Sequence, residues 1–334
     1  MQRVRLRSAS GTFRPVARPT PDVYRRRRLA AGAVVVVLVL VVVAAAAGAF
    51  SGGSGGADRL AEVRAEQPPP PPPPPELPGG GRSILPEHRV VAYYGAPQAA
   101  ELGALGIGTP AAAAKRLLDQ ARRYDRPRRP VLAAMELLAV IANADAGADG
   151  MYRTRQPDAI IARYLRAARR HGMLLVLDIQ PGRSDFFTET VRLRKWLREP
   201  DVSLALDPEW RVTEGQVPGQ VIGQVGAREV NATSAWLAQL VGHFDLPEKL
   251  FIVHQFTDDM VDDTALKPRE GLAEVLNADG FGARAIKKAK YRAFSRAAPT
   301  FDHGFKLFYH EDTDLMTPRS VLRLRPSPDV VVYE

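Results

Sequence analysis

A (β/α)8 barrel, the TIM-barrel architecture, is the fold this sequence predicts, on three observations. Five short apolar runs carry an acid at or near their ends: VLAAMELL with Glu136, MLLVLD with Asp178, VSLALDPE with Asp207 and Glu209, LAEVLNAD with Asp279, and DVVVYE with Glu334. Near-continuous apolar runs of this length read as buried parallel strands. Segments with helix signals separate them, and regular alternation of strand and helix gives a parallel sheet. His88 to Glu334 spans 247 residues, close to the roughly 250 of one such barrel. In a closed barrel every strand ends on the same face, so acids far apart in the chain converge on one mouth.

Four regions follow one another along the 334 residues. Residues 1–28 hold nine arginines against the single acid Asp22, so +8 of the net charge of +9 belongs to this tail. The rest of the chain is nearly neutral, which removes the main electrostatic argument for nucleic-acid binding. Residues 29–50 (LAAGAVVVVLVLVVVAAAAGAF) carry no charge and are long enough to cross a bilayer as one helix. The preceding arginines orient that helix with the tail in the cytoplasm. The expected location is therefore the cell membrane, single-pass, with everything after Phe50 extracytoplasmic. Residues 51–87 read as a linker, with the flexible SGGSGG at 51–56 and eight prolines at 68–75 forming a stiff rod. The chain has no cysteine, so the exported part holds together without disulfides.

Within 88–334 the expected strands are 89–94, 131–137, 173–178, 202–207, 250–255, 272–279, 304–309 and 329–333. Thr109-Pro110 gives a capping hydroxyl followed by proline at the first helical position, opening AAAAKRLLDQARRYD. Pro157 opens the next helix, which Gly172 ends in a left-handed cap. Ser184 is the expected start of the third helix, and Asn231 or Ser234 that of AWLAQLVGHF. The runner-up fold is an open doubly wound sheet. The glycines of LGALGIG are out of order for a dinucleotide-binding turn, and eight strands favour closure.

Strand chemistry then singles out 202–210. With a side-chain period of two, Ser203, Ala205, Asp207 and Glu209 share one face, and Leu204 and Leu206 the other. The small, polar set suits a barrel interior. Two neighbouring carboxylates push one pKa upward, giving the division of labour that glycoside cleavage needs. The other strand-end groups expected to line the mouth are Tyr94, Glu136, Asp178, His254, Gln255, Asp279 and Tyr309, with Trp210 as a sugar-stacking face. Arg153 and Arg155 offer a carboxylate clamp, or else a salt bridge. The near-repeat GQVP-GQVI-GQVG at 215–226 reads as a lid or rim. No cofactor or metal is expected. The six histidines form neither H-x-H nor H-E-x-x-H, and P-loop and G-x-S-x-G patterns are absent.

The D-x-E at 207–209 resembles the catalytic element of chitinase-type and lysozyme-type (β/α)8 glycosidases. That resemblance implies Glu209 as general acid and Asp207 as its helper. It also implies a polysaccharide of the envelope or its surroundings as substrate. The full chitinase pattern has two further aspartates, where this chain has Val202 and Ala205. The alternative expectation is thus a catalytically inactive barrel that binds glycan or an envelope partner. No protein partner is specified by the sequence.

Overall fold

The computed structural model describes residues 73–334. The basic tail, the apolar segment 29–50 and the first part of the linker lie outside the described residues. Among the described residues no helix is long and apolar enough to cross a membrane.

Nine strands form one sheet: β1 (Arg89–Gly95), β2 (Val131–Ala142), β3 (Arg153–Arg155), β4 (Leu174–Ile179), β5 (Val202–Leu206), β6 (Lys249–Gln255), β7 (Leu272–Ala278), β8 (Asp302–Leu307) and β9 (Val330–Tyr333). All but β3 pair in parallel, and β1 pairs with both β9 and β2, which closes eight strands into a barrel. Strand β3 was not expected. It runs antiparallel along the long end of β2, pairing Ala142 with Arg153 and Val140 with Arg155. Its sequence, RTR, lacks the apolar character that marks the other strands.

The helices are α1 (Pro110–Ala121), α2 (Asp158–Arg170), α3 (Phe186–Arg192), α4 (Arg194–Leu197), α5 (Ala227–His243), α6 (Arg284–Ala297) and α7 (Pro318–Val321). Thr109 caps α1 by accepting from Ala112 N, and Gly172 takes φ +63° after α2. Two expected starts differ. Asp185, rather than Ser184, caps α3 by accepting from Thr188 N; the Ser184 hydroxyl donates to Glu189 instead. Helix α5 begins at Ala227, so Asn231 and Ser234 lie inside it. The Asn231 amide is committed elsewhere, donating to Ala265 O and accepting from Lys267 N. The connection from β6 to β7 holds only a 3-10 turn at Asp263–Ala265, since its acid-rich sequence offers no apolar stripe for a helix.

Inside the barrel, inward residues alternate with outward ones and change character toward the top. Val90 and Ala92, Leu132 and Ala134, Leu174 and Val176, Leu250 and Ile252, Ala273 and Val275, and Val330 and Val332 form one buried apolar cluster. The next inward residue on these strands is Tyr94, Glu136, Asp178, His254, Asn277 or Glu334. The lower interior is thus packed and dry, and the upper interior is polar. Outward residues such as Leu204, Leu206, Phe251 and Leu307 join the helices in a second cluster. Leu77, Ile84 and Leu85, from the stretch expected to be linker, are buried in the inner cluster. Leu85 N donates to Glu248 and Arg82 pairs with Asp245, both just before β6, so this segment closes the barrel's amino-terminal end.

Candidate functional site

The carboxyl ends of the strands surround a cavity of about 610 Å³. Asp279, Lys306, Glu334, Gln180 and Tyr94 contribute its polar lining. Glu209 and Trp210 line it from the 3-10 turn Pro208–Trp210 that follows β5. Its apolar lining includes Phe256, Phe281, Phe308, Val221 and Ile222. The last two belong to the 215–226 near-repeat, which therefore walls the cavity. That loop is fastened at its end, where Gly223 N donates to Glu209 O and Gln224 N to Arg211 O.

Period two carries Asp207 inward beside Ala205, and the Tyr94 hydroxyl donates to Asp207 Oδ2 at 3.0 Å. Gln180 Nε2 donates to that same hydroxyl at 2.9 Å. Asp207 Oδ1 has no partner among the described residues. Burial pushes the Asp207 carboxyl up from its ordinary value. Burial and the neighbouring Asp207 do the same, more strongly, to Asp178 and to the Tyr94 phenol. Glu209 is half-buried in the cavity wall. Loss of water, then Asp207 and Asp279, push it up to about 9, so it holds a proton at neutral pH.

Across the floor, Asp279 accepts from Lys306 Nζ at 3.0 Å and from Gly280 N at 2.6 Å. Burial alone would raise its pKa, but Lys306 and His254 outweigh burial and hold it below the usual carboxylate range. Lys306 also pairs with Glu334 Oε2 at 2.7 Å and lies 3.7 Å over the Tyr94 ring. Burial opposes its charge, yet Asp279 and Glu334 keep it cationic. Beneath lies His254, with Nδ1 3.0 Å from Asp279 Oδ2 and Nε2 2.9 Å from Glu136 Oε1. Its Nε2 is 3.7 Å from Asp178 Oδ2. Burial lowers its pKa, but Glu136 and the bond to Asp279 raise it well above the ordinary value.

Of the residues expected at the mouth, Tyr94, Glu209, Trp210 and Asp279 line the cavity, whereas Glu136, Asp178, Asp207 and His254 are buried beneath it. Gln255 does not join them. It follows inward-facing His254, so its side chain turns outward, donating to Asp263 Oδ2 at 3.1 Å. Tyr309 lies beyond the end of β8, stacked on Tyr333 at 5.2 Å and bonded to Tyr93 through the hydroxyls. It belongs to the outer aromatic layer. Arg153 and Arg155 both bind the buried Glu189, at 2.9 and 2.6 Å, which is the salt-bridge reading of that pair.

Lys306, Gln180 and Asn277 are site residues that the strand-end acids did not reveal. Lys306 had a legible signal: it is a lysine inside the run GFKLFY, of the same parity as Gly304. The absence of metal-type histidine spacings likewise hid a cluster assembled from three strands. Glu136, Asp178 and His254 each offer one ligand atom, all within 4.8 Å of one another.

No protein-family model and no curated protein matches the chain. Among solved structures, 2,3-dimethylmalate lyase, a member of the PEP mutase/isocitrate lyase superfamily, is similar at 11% identity and TM-score 0.41, over 74% of this chain and 75% of that one. UMP synthase of Leishmania donovani is similar at 15% identity and TM-score 0.35, over 75% of this chain and 48% of that one. The fold stands on the chain's own strand order: an eight-stranded parallel α/β barrel with a cavity of mixed polar and apolar lining at its carboxyl face.

Proposed function

We propose that this chain is a glycoside hydrolase-like protein, displayed from a membrane by residues 29–50, acting on an envelope or extracellular polysaccharide. The observation that carries the reading is the placement of Glu209, a carboxyl group in the wall of a large cavity at the carboxyl end of the barrel. Loss of water there, with Asp207 and Asp279 nearby, pushes it up to about 9. A carboxylic acid that keeps its proton at neutral pH can deliver it to a leaving glycosidic oxygen. Asp279 lines the same cavity as a carboxylate ion-paired with Lys306, placed to stabilise positive charge developing on a sugar ring or to act as nucleophile or base. Asp207 is buried and bonded to Tyr94, so its role is support of Glu209. Trp210 and the cavity's phenylalanines offer flat apolar surface to the C–H faces of sugars.

The test is reducing-end release by the full-length protein from a panel of cell-wall and storage glycans, repeated with Glu209→Gln. Turnover by the wild type that the variant loses supports the reading. Turnover that survives in the variant rejects Glu209 as the acid. A second reading is a silent barrel that binds glycan, favoured by apolar Val202 and Ala205, both buried, where the chitinase pattern has acids. It predicts saturable glycan binding without reducing-end release.

A further inference from the structure

We propose that Glu136, Asp178 and His254, from β2, β4 and β6, form a binding site for a first-row divalent metal cation deep in the upper barrel. The three side chains are fully buried, and their ligand atoms lie within 4.8 Å of one another, the spread expected of groups sharing one ion. Both oxygens of Asp178, and Oε2 of Glu136, have no hydrogen-bond partner among the described residues. Buried carboxylates are ordinarily paired or bound to metal, since leaving them bare costs several kcal/mol each, roughly.

The local charge points the same way. Glu136, Asp178, Asp207, Asp279 and Glu334 crowd the upper barrel, and with His254 neutral, as a ligand must be, the cation facing them among the described residues is Lys306. Lys306 is taken by Asp279 and Glu334. A dication supplies the missing positive charge. His254 is also oriented as a ligand: Nδ1 lies 3.0 Å from both the Asp279 carboxylate and the Asn277 amide, while Nε2 points at Glu136 and Asp178. A carboxylate behind the imidazole fixes the tautomer and strengthens the other nitrogen as a donor. Two carboxylates with one imidazole suit Mn2+ or Zn2+, whereas Ca2+ takes an all-oxygen shell.

The test reads metal content, so its failure leaves the hydrolase reading standing. Full-length protein is stripped with chelator, dialysed against Mn2+ or Zn2+ alone, and assayed for bound metal and thermal stability. The site predicts about one tight equivalent per chain and a raised melting temperature. Glu136→Gln and Asp178→Asn should each weaken binding at least about tenfold. The paired change Asp258→Asn with Asp259→Asn, in an exposed acidic turn, should leave it intact. Co2+ substitution gives a measurement independent of variant folding: visible ligand-field bands that titrate to one equivalent in the wild type. Absence of stoichiometric metal in the wild type overturns the proposal. So does binding that survives both site variants or disappears with the surface pair.

Discussion

The Tyr94 hydroxyl and the Asp207 carboxylate meet at 3.0 Å across the barrel, 113 positions apart in the chain. The contact joins the first barrel strand to the fourth. Tyr94 is also the first polar inward residue of β1, directly above Val90 and Ala92, so the bond marks where the dry interior ends.

Tyr94→Phe removes that donor without changing the ring. Among the described residues Asp207 Oδ2 is then left with only the Gln180 amide at 3.5 Å, and Oδ1 already lacks a partner. Leaving a buried acceptor unsatisfied costs about 1–3 kcal/mol. Urea unfolding should show a lower midpoint with an unchanged slope. An unaltered midpoint would mean that the contact contributes nothing to stability.

Glu209→Gln should abolish turnover and yet stabilise the fold. A group raised from 4.5 to about 9 makes the folded state bind a proton that the unfolded chain releases. Stability from this site is therefore greatest below pH 4.5, falls as pH rises through the window up to about 9, and levels off above it. Glutamine carries no charge and removes that slope. At pH 7 the gain should be on the order of 1–3 kcal/mol, and it should vanish near pH 4. Melting temperatures of both proteins across pH 4–9 check the prediction.

Glu189 ties the antiparallel strand β3 to the body of the barrel. Its side chain has 0% exposure and accepts from Arg153, Arg155 and Ser184. Glu189→Ala leaves Arg153, itself only 6% exposed, with Asp149 as its remaining carboxylate partner. Breaking a buried pair from one side costs about 3–5 kcal/mol. Hydrogen exchange should quicken first at Arg153–Arg155, whose remaining tie to the barrel is the short antiparallel pairing with the end of β2.

Gly304 permits the close approach of β7 and β8. A Cβ there would sit 2.4 Å from Asn277 Oδ1 and 2.9 Å from the Asn277 Cα. Because backbone cannot rotate away, Gly304→Ala should cost about 1–3 kcal/mol. It should also shift Lys306, two residues on, away from Asp279. A calorimetric melt equal to the wild type would contradict this packing.

The barrel was legible because parallel strands are apolar runs, and each of the eight expected strands matches an observed one with ends shifted by five residues or fewer. Strand β3 was not, since three residues of RTR pair only because β2 runs on past the barrel rim. Inward groups on the strands were read from parity: Asp207, Asp178 and His254 follow it, and Gln255 breaks from the expected set for the same reason. What parity could not supply was depth. Asp207 and Glu209 share a face in the sequence, but Pro208 starts a turn that lifts Glu209 into the cavity wall and leaves Asp207 buried below. The cluster of Glu136, Asp178 and His254 was invisible to motif spacing because its members lie on three separate strands.

The protonation of Glu209 is the claim on which the chemistry turns. Its side-chain carboxyl carbon can be followed by NMR in full-length protein labelled at glutamate, with Glu209→Gln identifying the signal. A titration midpoint near 9 is expected. A midpoint near the ordinary 4.5 would contradict it, because the group would then be ionised at neutral pH and have no proton to give.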